Sequence, residues 1–206
     1  YVSLFLEEEI RVEAALRNVG VFAQFLHLAA AESGNALNFE KISQDIGVSR
    51  NTISSYYQIL EDCLVGERVE PITQSETRKR LVKTAKYLLF DLGIRRVSAK
   101  LSTKLPNELM GHLFEEYVGL ELLRFIRLLA PRASLRFWRD LNGPEVDWVV
   151  EHQGEYLPFE VKWTQKPTRS HTKHLHLFLK EYNAKQGFIV CRIPHRQKLS
   201  DTIDAI

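Results

Sequence analysis

Residues 143–163, "GPEVDWVVEHQGEYLPFEVKW", constrain this chain more than any other stretch. Two apolar, strand-forming runs flank Gln153-Gly154, so the segment predicts a β-hairpin. Each run carries charge where a half-buried strand would ordinarily be apolar: Asp147 in the first, Glu160 and Lys162 in the second. Strand side chains alternate, so Glu160 and Lys162 share a face. Asp147 stands on the neighbouring strand, and cross-strand neighbours lie roughly 5 Å apart. Two carboxylates so placed repel unless a cation lies between them. Mg²⁺ suits that role, because it takes one or two carboxylates and completes its shell with water or phosphate oxygens. Such a metal activates water and stabilises charge on a phosphodiester, and a lysine beside it can orient that water or offset negative charge. The competing reading is a surface strand pair with an ion pair of little energetic consequence. The residues alone leave both open.

The surrounding periodicity supplies a frame. "NELMGHLFEEYVGLELLRFIRLLA" predicts a long amphipathic helix with Glu115 and Glu116 on it. Strands are expected over 134–140, 145–152 and 155–163, then a helix over 170–183 and a buried strand over 187–193. Helix, three strands, helix, strand implies a mixed central sheet flanked by helices. Upstream, residues 4–32 read as helices. Asn38 and Ser49 are candidate caps for helices over 39–46 and 50–62, with Gly47 in the turn between them, which makes a helix-turn-helix. "LVGERVEP" and "KRLVKTAKYLLFD" are strand-like and suit the wing of a winged helix. The fold class is therefore α+β: a helical, winged helix-turn-helix domain over 1–92 and an α/β domain over 93–206. The second helix of the turn exposes Arg50, Asn51, Ser54, Ser55 and Gln58, polar groups able to reach DNA phosphates or base edges. With one Arg and no Lys, the same helix also suits a packing module.

Totals exclude some classes. The 206 residues carry a net charge of +2, with 45% hydrophobic and 26% charged residues, so no bulk basic footprint announces nucleic acid. Local basic clusters at 76–80, 93–100 and 194–198 read as solvated faces, with phosphate contact the minority reading. No run approaches the roughly 18 apolar residues of a membrane helix, and the N-terminus does not resemble a signal peptide. Two distant cysteines in apolar runs suit buried thiols of a cytoplasmic protein. His171, His174 and His176 read as solvated rather than zinc ligands. Trp138, Trp148 and Trp163 read as packing rather than base-stacking residues. No serine sits in a nucleophile elbow. The chain starts at Tyr1, and its only methionine is Met110, so a preceding segment is expected.

The element order, with "EVD" and then "EVK", resembles the PD-(D/E)XK nuclease superfamily. That resemblance implies a restriction-endonuclease-like fold over about 100–206, with Asp147, Glu160 and Lys162 on the core motif. Glu115 matches the first-helix acid, Glu116 being the lesser candidate. It implies Mg²⁺ or Mn²⁺ held by Asp147, Glu160 and Glu115, and a phosphate-positioning role for Gln165. The leading "PD" is here Val146-Asp147. Over nearly its full length the chain also resembles the C-terminal half of a prokaryotic AAA+ ATPase family. There a nucleotide-binding module precedes a winged helix and a C-terminal domain of unknown function. ATP would then bind only through an upstream module, since no "GxxxxGK[ST]" occurs here. The expectation is a DNA-processing module with a metal-dependent phosphodiesterase site. Its alternatives are an inactive regulatory, homo-oligomerising or DNA-binding module of the ATPase, because fold alone does not imply function.

Overall fold

The computed structural model describes residues 19–75, 81–102, 104–141 and 143–206. The helix expected over 4–18 and the basic cluster at 76–80 lie outside the described residues. Six α-helices and eight strands are described, in two compact units.

The first unit contains residues 19–68 and 85–105. Its helices are α1 (Val19–Ala31), α2 (Phe39–Ile46), α3 (Arg50–Asp62) and α4 (Leu92–Ser98). The α2–α3 pair forms for the reasons its sequence supplies. Asn38 caps α2 by accepting the Lys41 amide at 2.9 Å, and Ser49 caps α3 by accepting that of Thr52 at 3.1 Å. Between them Gly47 ends α2 at φ 79°, a left-handed conformation that costs glycine little. Ile53, Tyr57 and Leu60 of α3 turn inward onto Phe22 and Phe25 of α1. The Phe25 and Tyr57 rings meet edge-on at 4.9 Å. The start of β1 (Gly66–Pro71) pairs with β2 (Lys86–Leu89), which adds Tyr87 to this core.

The sequence division at 92/93 differs from the structural one. Residues 93–105 stay with the first unit, while Val69–Thr84 belongs to the second. Short α4 explains the difference: Arg95 is buried, its Nε donating to the Ala30 carbonyl at 3.2 Å, and Ala99 joins the same core. The cluster over 93–100 is thus not wholly a solvated face.

The second unit contains α5 (Asn107–Leu129), β3 (Ser134–Arg139), β4 (Glu145–His152), β5 (Glu155–Val161), α6 (Lys173–Glu181), β6 (Gly187–Val190), β7 (Gln197–Lys198) and β8 (Ile203–Ala205). Its sheet runs from the end of β1 through β3, β4, β5, β6 and β8 to β7. Strands β3, β4 and β5 are antiparallel, β5, β6 and β8 parallel, and β7 antiparallel to β8, so the sheet is mixed. Residues Arg169–Thr172, expected as the start of a helix, form a separate 3-10 turn ahead of α6. The expected strand over 187–193 ends at Val190, and β8 covers the far side of β6. Trp138, Val146, Val149, Phe178 and Ile189 share the core on the α6 side.

One irregularity shapes the sheet. Arg136 pairs with Val149 but Trp138 pairs with Val146, which leaves Phe137 opposite both Asp147 and Trp148. This is a β-bulge in β4. It explains how Val146 and Val149, three apart, both enter one core, although strict alternation would separate them. Trp148 packs instead against α5, where Gly119 admits it: a Cβ there would lie 2.6 Å from the indole ring. The indole N–H donates to the Glu115 carbonyl at 2.9 Å, tying that turn of α5 to β4.

Candidate functional site

The β4–β5 ladder ends at the pair Trp148–Phe159. One step further, Asp147 and Glu160 occupy facing positions beyond the last pair, while on its other edge β5 pairs with β6 through Phe159–Phe188, Glu160–Ile189 and Val161–Val190. The Val161 amide, on the side facing β4, donates to Asp147 Oδ2 at 2.7 Å. A carboxylate thus takes the Val161 amide just past the last pair of the β4–β5 ladder. Asp147 is 8% exposed and Glu160 4%.

Lys162 shares the face of Glu160, and its Nζ meets Glu160 Oε1 at 2.7 Å. The other carboxylate oxygen of Glu160, Oε2, is buried with no hydrogen-bond partner. Buried polar atoms ordinarily have one. Burial raises the Glu160 pKa, and the opposing pull of Lys162 and of His174 does not cancel it. Burial would lower the Lys162 pKa, but Asp147, Glu160 and Glu115 outweigh it and the ammonium is held above its ordinary value. Asp147, Glu160 and Lys162 are therefore together, with Glu115 within electrostatic reach.

The resemblance implied three carboxylates around a metal. Among the described residues no group of three or more His, Cys, Asp or Glu is placed to hold one. Glu115 is felt through Lys162, whose cationic head answers several carboxylates at once. Glu116 is the buried member of the acidic pair on α5, and Gln165 is exposed. The carboxylates that could hold a divalent cation are then Asp147 and Glu160, the latter with one buried oxygen lacking a partner. Magnesium binds in that manner, through one or two carboxylates with water or substrate phosphates completing the shell.

In the first unit, Arg50, Asn51, Ser54, Ser55 and Gln58 are exposed along α3. Arg50 is ion-paired to Glu40 at 3.5 Å, and Gln58 donates to Asp62 at 2.9 Å. The single cation of that face is thus partly neutralised. His171 accepts the Thr168 amide at 3.1 Å as a local cap, and the Nδ1 of His174 lies 3.5 Å from the Glu145 amide. In the third basic cluster Arg196 pairs with Asp204 and Lys198 with Asp201.

Sequence reading missed one arrangement. Trp138 and Trp148 are fully buried, but Trp163 is 38% exposed. The Arg192 guanidinium lies over its ring, 4.0 Å from the centroid. Trp163 and Arg192 stand 29 positions apart, and nothing in the sequence pairs them. The sequence offered only a tryptophan directly after Lys162, at the end of the expected strand, and it read as a packing residue.

Among the described residues no helix is long and apolar enough to cross a membrane. Along its whole length the chain is 25% identical to Uncharacterized protein Rv2008c of Mycobacterium tuberculosis and to Uncharacterized protein Mb2031c of Mycobacterium bovis. It spans about half the length of these curated relatives, 46% of each. Residues 110–206 match a domain of unknown function (DUF4143) that is associated with AAA-type ATPases. Residues 1–105, half of the chain, match the domain of unknown function DUF8612, and the chain belongs to that family.

Proposed function

We propose that this chain is the part of an AAA-type ATPase protein that carries a divalent-metal-dependent phosphodiesterase site on a restriction-endonuclease-like second unit. The first unit is read as a winged helix: α2 and α3 with their tight turn, followed by β1 and β2. The observation that carries the proposal is Glu160. A buried carboxylate with one oxygen on Lys162 and the other on nothing costs stability unless something binds it.

Asp147 and Glu160 present oxygens from two neighbouring strands. Asp147 and Glu160 would hold a divalent cation, which would supply Lewis acidity toward a phosphodiester. Lys162, kept charged, offsets negative charge developing on the phosphate and orients the attacking water. Trp148 fixes the Glu115 turn of α5 over the same strand. The test is incubation of the chain with single- and double-stranded DNA and RNA, with Mn²⁺ or with chelator. Metal-dependent cleavage, lost at least 100-fold in Asp147→Asn and Lys162→Ala, is expected. Cleavage that survives Lys162→Ala contradicts the mechanism.

A second reading, an assembly module of the ATPase, has its own observation. Tyr117, Phe125, Leu128 and Leu129 leave an exposed apolar stripe along α5. If that stripe acts in assembly, Phe125→Asp lowers the sedimentation mass of the chain or its retention by the ATPase module, and leaves cleavage untouched.

A further inference from the structure

The stretch 162–180 carries five Lys or Arg and no Asp or Glu. Within it Lys166, Arg169 and Lys173 are exposed. None of these three, nor Arg192, has a carboxylate partner among the described residues, whereas the neighbouring Arg196 and Lys198 are both ion-paired. Backbone pairing sets Arg192 beside the start of this run. Lys162 donates to the Val190 carbonyl at 2.9 Å, and Arg192 donates to that of Thr164 at 2.8 Å. The guanidinium then lies over the Trp163 ring, and the Phe114 ring meets the same indole edge-on at 5.3 Å. An unpaired arginine plane backed by an exposed indole, one residue from Lys162, is a stacking surface with a charge built in.

Cations alone would attract any polyanion. The stack adds a demand for a flat aromatic partner, which a base supplies only when it is free of its own duplex. Stacking platforms joined to a basic track are how proteins hold single strands without reading sequence. We propose that the second unit binds single-stranded nucleic acid, with an unpaired base on the Trp163–Arg192 stack and the adjoining phosphates along Lys166, Arg169 and Lys173. This deepens the phosphodiesterase reading by naming its substrate class, and rests on it for purpose but not for binding.

The test is fluorescence anisotropy of a labelled oligothymidylate with the chain, in chelator so that no cleavage occurs, at increasing salt. Binding should weaken steeply with salt, and a duplex of equal length should bind less tightly. Arg192→Gln should weaken the single strand about tenfold, and Trp163→Phe, which keeps the contact with Phe114, should weaken it by a smaller factor. Unchanged unfolding transitions check that both variants are folded. Oligonucleotide affinity unaltered in both folded variants, or duplex bound as tightly, overturns the proposal. Single-strand binding without metal-dependent cleavage leaves it standing and removes the phosphodiesterase reading. Cleavage whose KM is unmoved by Arg192→Gln removes this inference and leaves that reading.

Discussion

Glu160 sits where a carboxylate is least welcome, 4% exposed and with one oxygen lacking a partner. Its pKa is raised, chiefly by burial, so the folded state holds the proton more tightly than the unfolded chain. The contribution to stability is then fully present below the ordinary value of 4.5 and is lost as pH rises through the raised one. Removing the charge should therefore help where the charge hurts. Glu160→Gln should stabilise the second unit at neutral pH by on the order of 1 kcal/mol. The gain should vanish at acid pH, where wild type is protonated too. The three tryptophans, Trp138, Trp148 and Trp163, all lie in the second unit, so their fluorescence follows its unfolding alone. A Glu160→Gln variant less stable than wild type at pH 7 would mean that the Lys162 contact dominates. A stability gain combined with lost metal binding would mark a site kept for function at a cost in stability.

Elements explain both what the sequence disclosed and what it hid. The β4–β5 hairpin was legible because Gln153-Gly154 interrupts two apolar runs and both turn residues take positive φ, 54° and 81°. Glu160 and Lys162 were expected to share a face from their spacing, and the 2.7 Å contact is that expectation in three dimensions. The bulge was hidden. "EVDWVV" reads as regular alternation, and only pairing with β3 reveals that Phe137 faces two residues. Helix α4 escaped notice because "LGIRRVS" is short and its buried face includes an arginine that finds the Ala30 carbonyl. The packing of α5 on β4 gives a direct test. Gly119→Ala puts a Cβ into the Trp148 ring, so it should destabilise the second unit by about 1–3 kcal/mol. It should also red-shift tryptophan emission as the indole loses its bond to Glu115. Wild-type stability in Gly119→Ala would show that α5 can move away from the strand freely.

At the scale of the molecule, the chain combines a DUF8612 unit with a region matching a domain associated with AAA-type ATPases. Its relatives are about twice its length. The first unit places an exposed but nearly neutral helix, α3, where a DNA reader would be basic. In the second unit the cations that lack a carboxylate partner among the described residues instead follow the end of β5 in sequence. That distribution favours nucleic acid on the second unit, next to the proposed Asp147–Glu160 metal site. The decisive measurement is isothermal titration of Mn²⁺ into the chain, into Asp147→Asn and into Glu160→Gln. It needs no substrate. Saturable binding by wild type that is abolished in both folded variants is the predicted result. Absence of Mn²⁺ binding by the folded wild type, or binding that both variants retain, would contradict it.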